Sequence, residues 1–320
     1  MSEATDLVGV LRAAGETTRL RLLALLADGE QSVKDLTEIL GQSQPRVSRH
    51  LKLLADAGLV RRNAEGAWAY YGLADDGIGG DLARWLVGRL AEADPERQRD
   101  RQRLVSVRAA QQAQAAAYFA KVADSWDLLR SLHVAEEAVE AAILAAVADR
   151  SVDTLLDLGT GTGRMLELLA GHYRRGIGVD SSREMIAVAR SKLAAAGINH
   201  AQVRLGDIAD LEPAAGRADL IVIHQVLHYF DDPGRLLIQA RQALRPGGEM
   251  LIVDFAPHEL EFLRIHHAHR RLGLSDPQMA AWARAAGLRV SAASSFPPSD
   301  AAEGLTVCVW QLTDDPGDHD

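Results

Sequence analysis

Residues 155–165 read LLDLGTGTGRM, a short apolar run carrying Asp157 that breaks into glycines at Gly159, Gly161 and Gly163 before helix-favouring residues resume. Strand, glycine turn and helix in that order form a ligand grip, because an open α/β sheet binds its ligands beyond the carboxyl ends of its strands. The spacing is not that of a dinucleotide site. A G-x-G-x-x-G count from Gly159 needs its last glycine where Arg164 stands, and Gly163 comes one residue early. Asp157, two residues before the first glycine, disfavours a pyrophosphate and suits a ligand carrying positive charge.

Outward from this loop the texture repeats. TLLDLG (154–159), GIGVD (176–180), QVRLGD (202–207), ADLIVI (218–223) and GEMLIVDF (248–255) are short apolar strands. Between them lie the helical segments MLELLAGHY, REMIAVARSKLAAAG and GRLLIQARQALRPGG. The alternation predicts a doubly wound parallel sheet with right-handed crossovers. A last helix, DPQMAAWARAAG, leads to LRVSAASSF and GLTVCVWQL, two strands that pair as a hairpin at the sheet edge. Residues 115–148 read as alanine-rich helices, and the tail DDPGDHD as disordered.

The first third is organised differently. Residues 7–27 have helical spacing, Ser32 is placed to cap the helix VKDLTEIL, and Gly41 ends it. After the turn GQS, Ser43 caps a third helix with Pro45 in its first turn, and Gly58 sits where a left-handed residue closes it. Val47, Leu51 and Leu54 form the buried stripe of that helix, which throws Arg46 and Arg49 to the opposite face with His50 and Lys52 flanking. LVRRNAEGAWAYYGL (59–73) reads as a β-hairpin wing, and DLARWLVGRLAEA as the next helix. ERQRDRQRLVSVRAAQQAQ, from Glu96, is polar, free of Gly and Pro, and reads as a helical connector. The division expected is 1–93, a connector at 94–114, and 115–320.

Composition agrees with two domains in 320 residues. Apolar runs such as LIVI are far too short to span a membrane, the N-terminus carries no secretory pattern, and Cys308 is the only cysteine, so the expected address is the cytoplasm. The net charge of −9 argues against a surface that coats nucleic acid. Between Ser43 and Arg62, however, Arg46, Arg49, Lys52, Arg61 and Arg62 face Asp56 alone, a focused basic footprint.

LLDLGTGTGR resembles motif I of the class I S-adenosylmethionine-dependent methyltransferases, and the resemblance runs over most of residues 115–312. It implies a Rossmann-like domain in which Gly159, Thr160, Gly161 and Gly163 let the backbone approach the adenosyl ligand and Asp157 supports its amino acid end. It further implies that Asp180, with Ser181 beside it, holds the ribose hydroxyls, that Met185 and Ile208 lie against the adenine, where the competing reading makes both plain core residues, and that Asp207 meets the adenine amino group. HQVLHYFDDP followed by ALRPGGEMLIVDF is similar to the fourth and fifth strand region of small-molecule members.

Methyl transfer from a sulfonium is accelerated mainly by proximity and exclusion of water, with a base needed only where the nucleophile starts protonated. His224, at the strand end and among the cofactor-lining candidates, and His228 are the histidines placed to take such a proton; the competing reading makes both structural. HHAHRR (266–271) reads as a helix over the pocket, touching an anionic substrate rather than holding a metal, because no carboxylate or cysteine stands at a ligand spacing. No metal is expected. HQVL excludes the D/N-P-P-Y/F motif of amino-group methylases, and one cysteine is too few for arsenite methylation.

QSQPRVSRHLKLLADAGLV is similar to the recognition helix of the ArsR/SmtB winged-helix repressors, S-x-H-L-K-x-L-x-x-A-G-L-V, over about residues 1–90. The resemblance implies that Gln42, Ser43, Gln44, Arg46, Arg49 and His50 face the major groove of operator DNA and that Arg61 and Arg62 meet phosphates. It also implies a homodimer formed through the first and last helices of the domain. The C-x-C that many metal sensors of that family carry before the turn is QSVKDL here. The reading is therefore a winged helix-turn-helix regulator, a repressor, fused to a class I methyltransferase fold. S-adenosylmethionine or S-adenosylhomocysteine is then either its effector or, in the alternative, the cofactor of an active small-molecule methyltransferase tethered to a DNA-binding module.

Overall fold

The computed structural model describes residues 3–65, 68–74, 77–122, 136–148, 150–208, 218–298 and 304–315. The chain divides into two units, Met1–Ala113 and Gln114–Asp320. Parts of the expected alanine-rich helices and the end of the tail lie outside the described residues.

The first unit is a winged helix. It starts with α1 (Glu3–Ala14) and α2 (Thr17–Ala27), where one helix was expected. The break falls at Gly15-Glu16, because Glu16 steps out to extended backbone at φ −153° and its carboxylate caps α2 by accepting the Arg19 N–H at 2.9 Å. After the two-residue strand β1 (Gln31–Ser32), Ser32 caps α3 (Val33–Leu40) through the Asp35 N–H. Then α4 (Gln44–Asp56) leads into the wing, β2 (Val60–Glu65) and β3 (Trp68–Leu73). Gly41 and Gly58 take left-handed φ of 62° and 69°, and the bonds Gln42 N–H to Thr37 O and Leu59 N–H to Leu54 O close α3 and α4 as Schellman turns. Ser43 stands at the N-cap of α4 but its hydroxyl makes no cap bond; backbone bonds from Arg46 and Val47 to its carbonyl, with Pro45, set that first turn. The wing strands pair antiparallel, Val60 opposite Leu73 and Glu65 opposite Trp68, and β3 pairs on its other side with β1.

Helix α5 spans Gly77–Arg89, four residues ahead of the expected start, and α6 is a single helix over Pro95–Val122. The polar composition of α6 hides an attachment. Leu104 and Val107 are buried in the core of the first unit, Arg103 Nη1 donates to Ile39 O at 3.0 Å, Arg108 Nη2 to Asp28 O at 2.9 Å, and Gln111 Nε2 to Asp35 Oδ1 at 3.1 Å. Up to Ala113, α6 belongs to the winged-helix unit, where a separate connector had been expected.

In the second unit α7 (Glu136–Val147) precedes β4 (Val152–Leu158), α8 (Arg164–Leu168), β5 (Tyr173–Asp180), α9 (Arg183–Ala195), β6 (Ala201–Leu205) and β7 (Ala218–His224). A 3₁₀ turn (Leu227–Tyr229), α10 (Pro233–Ala243), β8 (Leu244–Phe255), α11 (Phe262–His266), α12 (Asp276–Ala285), β9 (Leu288–Phe296) and β10 (Val307–Asp314) complete it. The sheet order is β6-β5-β4-β7-β8-β10-β9, parallel through β8, with β10 and β9 antiparallel as an edge hairpin. Both faces are covered, and β7 shows why a continuous apolar run was needed: Ile221 and Ile223 pack into one layer, Leu220 and Val222 into the other. The strand order reverses between β4 and β7, which puts the glycine loop at the switch point. The largest shortfalls from the expected helix ends are at α8, which stops at Leu168, and α10, which stops at Ala243 because Leu244 begins β8.

Candidate functional site

The glycines of the loop after β4 all take positive φ, 73° at Gly159, 52° at Gly161 and 84° at Gly163, so the backbone turns where a side chain would be strained. A Cβ at Gly159 would stand 2.4 Å from Val226 Cγ2, which brings the segment after β7 directly against the loop. Asp157 is buried, and its Oδ2 accepts the Thr160 hydroxyl at 2.6 Å. Burial pushes the Asp157 carboxyl up to about 7; the Thr160 bond works against that and the nearby Asp180 charge adds to it. Gly178 lies opposite Asp157 in the β4–β5 ladder, and a Cβ there would be 2.6 Å from Thr160 Oγ1, so this second glycine keeps the Thr160–Asp157 bond possible.

Asp180 ends β5 and reaches back across the loop. Its Oδ2 accepts the Gly161 N–H and its Oδ1 the Ser182 N–H, both at 2.8 Å. Burial raises its pKa, outweighing those backbone hydrogen bonds. Hydrogen bonds thus tie Asp157 to Thr160 and Gly161 to Asp180, whereas the other candidates sit on neighbouring segments. Ser181 is exposed, Met185 is buried in the first turn of α9, Asp207 is exposed after β6, and Ile208 packs into the core. Arg164, in the slot a dinucleotide loop gives to glycine, clamps α8 to α7 through a two-point pair with Glu140 at 2.7 and 2.6 Å.

At the end of β7, His224 is partly buried and pairs in register with Val253, and Gln225 takes an unusual φ of 54°. His228 is fully enclosed, with Nδ1 2.7 Å from Asp254 Oδ1. Sequence reading missed Asp254, although its place at the carboxyl end of β8 matches those of Asp157 and Asp180 on their strands.

HHAHRR is not a helix over a pocket. Only His266 is helical, as the last residue of α11, and the chain then turns through Ala268 at φ 57°. Its arginines are engaged within the unit: Arg270 pairs with Asp231 at 2.7 Å, and the buried Arg271 donates to the Phe230 and Asp231 carbonyls with its guanidinium over Trp282. They are spent on structure. No group of three or more His, Cys, Asp and Glu side chains among the described residues could hold a metal.

In the first unit Val47, Leu51 and Leu54 are buried, while Ser43, Gln44, Arg46 and Arg49 are exposed on α4 and Gln42 is partly so. His50 turns inward, 3.6 Å from Glu16 Oε2, and burial lowers its pKa. Arg61 is also drawn in. Its Nε and Nη2 donate to Glu30 Oε1 at 3.1 and 3.0 Å and its Nη1 to Leu73 O at 2.7 Å, whereas Arg62 is exposed on the wing. No helix among the described residues is long and apolar enough to cross a membrane.

Comparison with known proteins agrees with this division. Residues 131–293 match the family described as a methyltransferase domain, and residues 16–62 the bacterial regulatory proteins of the arsR family. A 37.1 kDa protein of transposon TN4556 from Streptomyces fradiae is 32% identical over 171 residues, 49% of this chain and 49% of that protein, so the match spans about half the length of this relative. The arsenical resistance operon repressor of Bacillus subtilis is 38% identical over 76 residues, 23% of this chain and 72% of the repressor. Among solved structures, the complex of the Haloferax volcanii Trm112 methyltransferase activator with a methyltransferase contains a chain of the same fold, with TM-score 0.51 and 22% identity, covering 61% of this chain and 96% of that one.

Proposed function

The chain belongs to the methyltransferase-domain family and carries an arsR-family regulatory domain ahead of it, and from that premise we propose a DNA-binding repressor whose second unit binds S-adenosylmethionine or S-adenosylhomocysteine as its effector. The observation that carries the ligand is the bond from Gly161 N–H to Asp180 Oδ2 across a loop of left-handed glycines. It sets a carboxylate at the second strand end, where a ribose diol offers two hydroxyls, beside backbone that no Cβ obstructs. The buried Asp157 suits the ammonium of the amino acid end, a charge that a pyrophosphate ligand lacks. S-adenosylmethionine would supply an electrophilic methyl group; the protein's part is to orient it and exclude water.

The exposed Arg46 and Arg49 on α4 support reading of base edges in operator DNA, and Arg62 supports a phosphate contact. A homodimer is supported by Leu7, Val8 and Leu11 on α1 with Ile78 and Trp85 on α5, large apolar side chains exposed on two helices that pack against each other. The second reading, an active methyltransferase tethered to the DNA-binding unit, is favoured by one observation, the buried His228–Asp254 pair.

Operator affinity measured without ligand and at saturation with each adenosyl compound tests the effector reading. A change of about 5- to 150-fold is expected, with the reciprocal change in ligand affinity when DNA is bound. Identical affinities in all three states, with ligand binding itself intact, would leave the tethered enzyme as the better account.

A further inference from the structure

Asp254 is held by two backbone groups: its Oδ1 accepts the Phe255 N–H at 2.8 Å and its Oδ2 the His228 N–H at 3.3 Å. Because an ionised carboxylate only accepts, the 2.7 Å contact from Oδ1 to His228 Nδ1 puts the ring proton on Nδ1 and leaves Nε2 with a lone pair. That Nε2 is buried and has no hydrogen-bond partner among the described residues. It is one of three. Among the described residues His258 Nε2 and His269 Nδ1 are also buried and unpartnered, and since His258 Nδ1 accepts the Leu260 N–H at 3.3 Å, its Nε2 carries the hydrogen. The cluster therefore holds an unmatched acceptor on His228 and an unmatched donor on His258, walled by the rings of Tyr229 and His269, each 4.1 Å from the His228 ring, and of Phe255 at 5.1 Å. The charged and titratable groups around it are Asp254 from β8, Tyr118, Tyr229, His258, His267, His269 and Arg264. Burial pushes His258 down to about 4 and His269 well below the ordinary histidine range, so both stay neutral near pH 7.

We propose that His228 and Asp254 are a proton-accepting dyad for a methyl acceptor bearing a neutral aromatic or enolic hydroxyl. The proposal rests on the second reading, an active methyltransferase with its adenosyl ligand at the glycine loop, and names the substrate class for that site. Val226, two residues before His228, lies against Gly159, so the segment that carries His228 adjoins the loop. A neutral hydroxyl both gives and accepts a hydrogen bond, which answers the acceptor and the donor left over, and it enters an aromatic enclosure without the desolvation cost of an ammonium. The hydroxyl O–H bond breaks, its proton joins His228 Nε2, and the electron pair left on oxygen would form the new C–O bond to the methyl carbon as the C–S bond breaks, its pair going to sulfur and S-adenosylhomocysteine leaving. Asp254, a positioning residue, holds the Nδ1–H tautomer and balances the imidazolium that forms. Access to Nε2 requires a neighbouring ring to move, and His269 belongs to neither a helix nor a strand.

The probe is 4-nitrophenol, whose phenolate has its own absorption band, added to the full-length protein saturated with S-adenosylhomocysteine so that no transfer can occur. In the wild type the phenolate band is expected below the pH at which the free probe ionises. It should vanish in His228→Gln and require higher pH in Asp254→Asn, with S-adenosylhomocysteine affinity unchanged in both by calorimetry. A probe that stays neutral or unbound on the wild type, or ionises equally in His228→Gln, overturns the dyad. Failure of S-adenosylhomocysteine itself to bind instead overturns the adenosyl reading. Should His228→Gln fail to fold, ¹⁵N spectra of the wild-type histidines decide: one Nδ1–H ring must become doubly protonated on adding the probe, and its absence rejects the proposal.

Discussion

Arg21 of α2 and Asp100 of α6 meet in a two-point ion pair, Nε to Oδ2 and Nη2 to Oδ1 at 2.7 Å each, with Glu96 Oε1 2.9 Å from Nη1. The Arg21 side chain is 16% exposed and that of Asp100 5%, so removing one partner strands a charge that water reaches poorly. Asp100→Ala should destabilise the winged-helix unit by about 2–4 kcal/mol, below the full value for a wholly buried pair because Arg21 keeps some solvent. Urea unfolding followed by circular dichroism checks this; an unchanged midpoint would make the pair ornamental. A fragment ending at residue 94, which lacks Leu104 and Val107, should likewise be less stable than one ending at 113.

Gly159→Ala meets two obstacles, a left-handed φ of 73° that costs about 1–2 kcal/mol and the Val226 methyl group at 2.4 Å. Adenosyl binding should weaken at least tenfold. Adding Val226→Ala should recover only part of it, because space returns while the backbone strain remains. Full recovery in the double variant, measured by calorimetry, would locate the whole defect in the side-chain clash.

For Asp157 the sign follows from a folded pKa of about 7 against an ordinary value of 3.8. Between about pH 4 and pH 7 the unfolded chain has lost this proton while the folded chain keeps it, so the contribution to stability falls as pH rises and then levels off. Unliganded Asp157→Asn should therefore gain stability on the wild type over that window. Ligand binding runs the other way, since an ammonium favours the carboxylate: S-adenosylhomocysteine should bind more tightly at about pH 8 than at about pH 6 and release a proton at the lower value. Calorimetry in buffers of different ionisation enthalpy reads that proton directly. Persistence of the pH dependence in Asp157→Asn would assign it elsewhere.

Among the arginines near the recognition helix, geometry separates three outcomes. Arg46→Ala or Arg49→Ala should relax base preference by about 1–3 kcal/mol at one position. Arg62→Ala should weaken all sequences alike and flatten the salt dependence. Arg61→Ala should act chiefly on stability, because it leaves the buried Glu30 without its guanidinium. Competition binding at several salt concentrations, alongside thermal melts, distinguishes them; a purely DNA-dependent loss for Arg61→Ala would contradict the internal role.

Local chemistry made much of this protein legible in its residues alone. Glycines at fixed offsets, caps such as Ser32, the apolar stripe of α4 and the runs that became β4 to β8 each act within a few residues, so the winged helix, the doubly wound sheet and the glycine loop could be read off directly. What depended on contacts between distant segments could not. Glu30 meets Arg61 across 31 residues, Asp254 meets His228 across 26 and Asp100 meets Arg21 across 79. A charged residue looks equally solvent-ready in a sequence whether it ends in water or in a buried pair. For that reason Arg61, Arg270 and Arg271 read as ligand contacts until the fold engaged their guanidinium groups, and α6 read as a connector until Leu104 and Val107 found the core. The periodicity of a chain determines which elements form; which of its polar groups remain available for a ligand is decided only when packing has satisfied the others.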